Sequence, residues 1–520
     1  MSDNTDNIII VGGGSAGWMT AATLATQFPN KKITVIESPN IPIIGVGEST
    51  VAGIRPWLRM IGVEDKDFLK ATDGTYKLAI RFNDFYKKGG GTWYYPFGPA
   101  YLKENKHRKN DWFIKKALYP ETPSDDYADC FYPQMALIKS NKLMPNNGSL
   151  GDFQFYEDSA FNFDAIKFGA WLRDHVCIPR GVTHISDEVK TITQNDNGVD
   201  YFILESGRTV SADLYIDCTG FTALLIDKTL KVPFKSYEEV LPNNRAWAVQ
   251  VPYRDKEKQI NSVTDCTAID NGWVWEITLW SRIGTGYVYC DKYITPEQAK
   301  EDFKKHLISK GHNIEGCNFR DLKMRVGIHE RLWEKNVVAI GLSAAFLEPL
   351  ESTGLITIHQ YLTNLCRILR RDKITQWDRD EFSMKCEDEF KYWTQFVAMH
   401  YSLGHRDDTA YWSDISKKSH IKLFQSLNNM QTQSLYHQSI YAKSYNHTMQ
   451  DDVGVSCVAA GMNWIPIDEH VLNSSYGYKS NWREELAKSI EPLEERKQRW
   501  LRAVETAPSV YEYLKRNFYD

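Results

Sequence analysis

From Asn7 to Val11 the chain is an apolar run of β-branched character, and it ends in Gly12-Gly13-Gly14-Ser15-Ala16-Gly17. A helix-forming stretch from Trp18 to Gln27 follows and is closed by Pro29, and Lys32-Ile33-Thr34-Val35-Ile36-Glu37 then reads as a second strand. Strand, glycine turn, helix and strand together open a parallel, doubly wound sheet. Near residue 77 the pattern changes to strict alternation. Leu78, Ile80 and Phe82 fall on one face and Lys77, Ala79 and Arg81 on the other, which is strand periodicity with a polar side.

Pro- and Gly-rich sequence from Lys88 to Asn110 predicts a long loop or insertion. Strand patterns return at Tyr201–Glu205 and Leu214–Cys218, around the turn Ser206-Gly207, and again from Trp273 to Tyr289. From about Ile356 the pattern is helical, clearest over Gln360–Arg371 and Arg379–His400. Another helical tract, Leu486–Phe518, is predicted to break near Pro492 and Pro508. The expected fold is α/β: a doubly wound dinucleotide-binding body with additional β-sheet and a helical C-terminal subdomain. The body is placed at residues 1–400, with an insertion around 85–165. Residues 401–520 form the helical part, helping to cover a substrate site.

Composition narrows the function classes. The 520 residues carry a formal net charge of −5, and no Lys/Arg run forms a basic stripe, so nucleic acid is not an expected partner. No run approaches the roughly 18 apolar residues of a membrane span. The polar N-terminus shows no signal peptide, and the nine cysteines include no Cys-x-x-Cys pair. Together these predict a reducing, cytoplasmic setting, with neither disulfides nor a metal site. Aromatic residues make up 13% of the chain, enough to furnish both a large core and a site for a flat ligand.

The glycine turn is the first candidate site. Gly12 permits a tight turn, Gly14 lets the backbone approach a pyrophosphate, and Gly17 lets the helix pack on the sheet. Ser15 and Ala16 open the helix N-terminus toward phosphate charge. Glu37 lies 20 residues after Gly17, placed to accept from a ribose hydroxyl. A second cluster, Gly45-Val46-Gly47-Glu48-Ser49-Thr50, and two later strand ends with small residues, Asp217–Phe221 and Val337–Ser343, repeat the theme. FAD is long and needs backbone approach at several strand ends, so this distribution favours FAD over NAD. Gly47, Glu48, Ser49 and Gly341 join the expected cofactor wall.

Several segments in order resemble the flavin-dependent tryptophan halogenases. They are Gly12–Trp18, Gly45–Thr50, Tyr76-Lys77-Leu78-Ala79-Ile80, Gly272-Trp273-Val274-Trp275-Glu276-Ile277, Arg282–Tyr289, Pro349-Leu350-Glu351-Ser352-Thr353-Gly354, and His400-Tyr401 with Arg406-Asp407-Asp408. The resemblance implies an enzyme that uses FADH₂, delivered by a separate NAD(P)H-dependent flavin reductase, with O₂ and halide as co-substrates. Hypohalous acid made at the flavin would move to Lys77, which passes electrophilic halogen to a small, electron-rich aromatic substrate. Glu351 matches the second catalytic position, orienting the lysine and its oxidant and taking the ring proton. Thr353 and Gly354 match a halide pocket, and Leu350 the adjoining cofactor wall. Trp273 and Trp275 match the pair that keeps organic substrate from the flavin.

The match breaks on the substrate side. The tryptophan motif ends Ile277-Thr278 where the family usually has Ile-Pro. Tyr94-Tyr95-Pro96-Phe97 lacks the family's histidine, and Gly454–Gly461 shows no sandwiching tryptophan, with Cys457 or a neighbour in its place. A Tyr–Tyr–Glu clamp for the amino acid is not found. The expected substrates are therefore indoles, phenols or similar arenes contacting Tyr95, Phe97 and Cys457, with bromide or iodide favoured. An FAD-dependent aromatic hydroxylase and a non-catalytic flavin-binding protein are the rival readings. Homo-oligomerisation is left open.

Overall fold

Ile8, Ile9 and Ile10 are all buried, as a strand must be when helices cover both faces of a parallel sheet. In the computed structural model, which describes residues 5–41, 48–145, 150–424, 453–465 and 467–520, this strand lies inside a six-stranded sheet. It pairs in parallel with Lys32–Glu37 on one side and Leu214–Asp217 on the other. Thr183–Ser186 and Val337–Ala339 extend the sheet in parallel at either end. The outermost strand, Trp333–Glu334, runs antiparallel. The doubly wound α/β body expected from the sequence is present.

Helix Ser15–Gln27 leaves the first strand through the glycine turn. Gly12 has φ +111°, and a Cβ there would lie 2.3 Å from the Cys218 carbonyl oxygen, so both handedness and space demand glycine. A Cβ on Gly17 would lie 1.9 Å from the Gly12 carbonyl oxygen. Gly17→Ala must open the turn to fit its methyl group. It is expected to lower the thermal midpoint by several degrees; an unchanged midpoint would contradict this reading of the turn.

The chain divides into two units, each built from three stretches. The first comprises Met1–Gly74, Asn162–Ala246 and Asp321–Thr394, and the second Thr75–Phe161, Trp247–Arg320 and Gln395–Asp520. In the second, strands Thr92–Pro96, Ala79–Asn83, Val263–Ile269, Gly272–Thr278 and Ile283–Tyr289 are consecutive neighbours in one sheet. Only the Ala79–Asn83 and Val263–Ile269 pair is parallel within this run. C-terminal helices follow, including Val453–Gly461 and Trp482–Ala503. Among the described residues no helix is long and apolar enough to cross a membrane, and all nine cysteines are free thiols.

Three local expectations change. The predicted loop from Lys88 to Asn110 contains strand Thr92–Pro96, which pairs antiparallel with Ala79–Asn83. Its Trp-Tyr-Tyr core prefers a pleated, half-buried surface, and that preference outweighs the flanking glycines. The alternating segment near residue 77 is strand, but its expected polar face opens to solvent only in part, at Arg81, since Lys77 and Ala79 are each 0% exposed. Helix Trp482–Ala503 continues through Pro492. Leu486, Ile490 and Leu493 before and after the proline are buried, as is Trp500, so packing on one face holds both halves despite the lost amide.

Candidate active site

A cavity of about 810 Å³ lies in the first unit at the carboxyl ends of the parallel strands, where doubly wound sheets bind ligands. Gly12, Gly13, Gly14, Ser15 and Ala16 form one wall, Ile36, Glu37 and Ser38 another, and Cys218 to Thr222 and Gly341-Leu342 a third. Nothing lies within 4 Å of a Cβ built on Gly14, so its backbone faces open space. Helix Ser15–Gln27 has neither a side-chain cap nor an acidic residue in its first turn. Its leading amides are thus left for an anion. Extended backbone at three strand ends, an uncapped helix start and this volume fit a long dinucleotide such as FAD.

A second helix start reaches the same cavity. Helix Thr353–Leu369 also lacks a side-chain cap and a first-turn acid, and Thr353 and Gly354 line the cavity wall. Thr353 is 1% exposed, and its Oγ1 has no hydrogen-bond partner among the described residues. A buried hydroxyl at an uncapped helix N-terminus is a donor set suited to a small anion. The turn leading into this helix is tightly held. Asn243 donates from Nδ2 to Glu348 Oε2 at 2.6 Å, both side chains being fully buried. Pro349 follows, then buried Glu351, and Ser352 adopts the left-handed conformation at φ 56°. A non-glycine residue held there is a constraint typical of functional turns.

Glu48, half-buried on the cavity wall, has its carboxyl pushed up to about 7 by burial. The folded protein therefore holds this proton more tightly than the unfolded chain, whose carboxyl titrates near 4.5. The stabilising contribution is complete below pH 4.5 and is lost as the pH rises toward 7. Glu48→Gln, neutral throughout, is expected to flatten this part of the stability curve. Parallel curves for wild type and variant in urea melts from pH 4.5 to 7.5 would refute the assignment.

In the second unit, Lys77 is wholly buried, and its Nζ lies 5.0 Å from the centre of the Phe97 ring. Phe97 meets Tyr95 edge-on at 5.8 Å, and Tyr95 meets Phe396 edge-on at 5.7 Å. Helix Val453–Gly461 closes on these rings because Gly454 has no side chain. A Cβ there would lie 2.3 Å from Phe396 Cζ and 3.1 Å from Tyr95 Cζ. Cys457, one turn on, is buried in the cluster that contains Phe131 and Tyr132, with Tyr95 packed against it. Sequence-distant residues thus put one cation beside a set of flat rings. Trp273 and Trp275 are 0% and 7% exposed on strand Gly272–Thr278, with ring centres 6.3 Å apart. The Trp273 indole N–H has no partner among the described residues.

These arrangements can be set against known proteins. The family model described as tryptophan halogenase matches residues 7–476, about nine-tenths of the chain. The chain belongs to the flavin-dependent tryptophan halogenase family. It is 34% identical to a 7-chloro-L-tryptophan 6-halogenase of Kutzneria sp. (strain 744), over 78% of this chain and 81% of that one. Among solved structures, apo VirX1 superposes with a TM-score of 0.90 at 33% identity, covering 99% of this chain and all of the other. A flavin-dependent halogenase from Brevundimonas sp. BAL3 gives 0.82 at 28% identity, covering 99% of this chain and 100% of that one.

Within this family member, the cavity gathers Gly12, Gly14, Ser15, Ala16, Glu37, Glu48, Gly341, Thr353 and Gly354. Gly17 is packed beneath Gly12, and Ser49 and Leu350 are buried away from the wall. Gly47, with Gly45 and Val46, lies outside the described residues. Thr278, where the family usually has proline, donates from its hydroxyl to the Asn261 carbonyl at 3.0 Å, a local bond that proline cannot make. Sequence reasoning missed His184, which lines the cavity with its Nε2 3.0 Å from Glu37 Oε2 and with Trp18 edge-on to its ring at 5.3 Å. It missed Asn243 as well. A lone histidine on a strand and an asparagine in a loop carry no local signal.

Proposed function

We propose that this enzyme halogenates an electron-rich arene other than free tryptophan, with Lys77 as the group that delivers halogen. Bound FADH₂, supplied by a separate flavin reductase, furnishes with O₂ the oxidising power that converts halide to hypohalous acid. The observation that carries the reading is the complete burial of Lys77 against Phe97, with Tyr95 beyond it. A lysine amine can act in either protonation state. There it can hydrogen-bond hypohalous acid or, after losing a proton, carry halogen as a haloamine.

Thr353 and Gly354 are the proposed halide site, on the strength of the uncapped helix and the partnerless hydroxyl. Glu351 is the proposed second catalytic group: when a ring carbon takes halogen, its carboxylate accepts the displaced ring proton. Trp273 and Trp275 are assigned the shielding role, and Tyr95, Phe97 and Cys457 the arene contacts. The missing clamp and the aromatic rings of Phe97 and Tyr95 beside Lys77 favour indoles or phenols, with bromide or iodide ahead of chloride. Relatives named as tryptophan 6- and 7-halogenases make free tryptophan the alternative. Enzyme, FAD and a reductase system, incubated with each halide and equal indole and tryptophan, separate the two. Faster conversion of indole is expected; tryptophan turned over far faster than every indole or phenol would overturn the substrate assignment.

A further inference from the structure

Arg496 lies on helix Trp482–Ala503 and is fully buried. Its Nη1 donates to Asn105 Oδ1. The rings of Phe131, Tyr101 and Trp500 surround the guanidinium at 5.0, 5.8 and 5.8 Å. Among the described residues, its Nε and Nη2 have no hydrogen-bond partner. These two atoms form one edge of the guanidinium, with parallel N–H groups suited to a shared anionic acceptor. Elsewhere in this protein the same edge takes a carboxylate. Arg81 uses it on Asp265 at 3.0 and 2.6 Å, Arg173 on Asp174 at 2.7 and 2.9 Å, and Arg406 on Asp408 at 2.9 and 2.7 Å.

No such carboxylate serves Arg496. Asp111 accepts from Asn105 Nδ2 at 2.7 Å and from the amides of Lys106 and His107. Its charge and that of Glu104 reach the arginine across space, but neither carboxylate accepts from the Nε–Nη2 edge. Glu104 pairs with Arg499 at 2.9 Å. The Cys130 thiol is pushed well up by burial and stays neutral. Ring faces offset part of the buried charge, but a guanidinium out of water with two free donors calls for a counter-ion.

We propose that the Nε–Nη2 edge of Arg496 holds a buried halide ion that is structural and does not react. A monatomic anion accepts both N–H groups with one atom.

Two measurements decide it. Crystals of the full chain grown in sodium bromide should show an anomalous peak within hydrogen-bonding distance of both Nε and Nη2. In solution, replacing sodium gluconate by sodium bromide should raise the thermal midpoint of wild type by roughly 2 °C or more. Arg496→Met removes the charge, and Arg496→Lys keeps it but loses the edge; each should show a clearly smaller halide-specific rise than wild type, the remainder belonging to the proposed site at Thr353 and Gly354, so a failure of the first to fold leaves the second to decide. A water or protein oxygen at the edge, or an equal rise in wild type and variants, overturns the proposal. A peak without the rise marks an adventitious ion only and overturns it too.

Discussion

Lys77→Ala is expected to abolish halogenated product while flavin reoxidation by O₂ continues at the wild-type rate. The loss should be about 10²- to 10⁴-fold or more, the range for removal of a positioned proton-transfer or nucleophilic group. The two readouts separate because Lys77 is not among the residues that line the cavity. Lys77 belongs to the second unit, with its ammonium 5.0 Å from the Phe97 ring, whereas the glycine turn and its cavity belong to the first. Removing the lysine leaves every residue of the cavity wall in place. Lys77→Arg separates the two modes: a guanidinium can still hydrogen-bond hypohalous acid but keeps its proton and cannot become a haloamine, so a variant without product assigns the haloamine and one that makes product assigns the hydrogen bond. Product by mass spectrometry and oxygen uptake by electrode check both statements. A Lys77→Ala variant that still makes product, halogenated or hydroxylated, would remove Lys77 from the mechanism; hydroxylated product would favour the rival hydroxylase.

Glu351→Gln should also lower the halogenation rate by about 10²- to 10⁴-fold, chiefly in kcat. Glutamine keeps the shape of the side chain but cannot accept the ring proton. Glu351 is 1% exposed, between Pro349 and the left-handed Ser352, so a near-isosteric replacement tests charge and not packing. FAD retention and the thermal midpoint should stay close to wild type. The half-saturating halide concentration should move much less than kcat, because the halide is assigned to Thr353 and Gly354. A Glu351→Gln enzyme with wild-type kcat would assign the carboxylate to structure alone.

The cofactor half of the account was legible because its signals are local. Gly12 and Gly17 are required by contacts with backbone a few residues away or at the next strand end, and such requirements leave a spaced glycine motif. The parallel sheet was legible too, since Asn7–Val11 and Lys32–Glu37 are short apolar runs flanking that motif. What could not be read depends on partners distant in sequence. Strand Thr92–Pro96 exists because Ala79–Asn83 gives it an edge to pair with, and glycines on its flank concealed it. The burial of Lys77 contradicts its own alternating pattern, which only the surrounding sheet and aromatic residues explain. Pro492 sits inside a helix because buried residues on both sides hold it. The interleaving of two units from six stretches leaves no compositional boundary. His184 beside Glu37 and Asn243 on Glu348 are single polar residues whose partners lie 147 and 105 positions away.

The most direct test of halogen transfer by this chain is mass spectrometry of the products formed from a panel of indoles, phenols and tryptophan with chloride, bromide and iodide in competition, in the presence of FAD and a flavin reductase. The account predicts ring-halogenated arenes, with the bromine isotope doublet or the iodine mass shift dominant and indole-type substrates ahead of tryptophan. Oxygenated arenes without halogen, or flavin turnover with no modified arene under any halide, would contradict it.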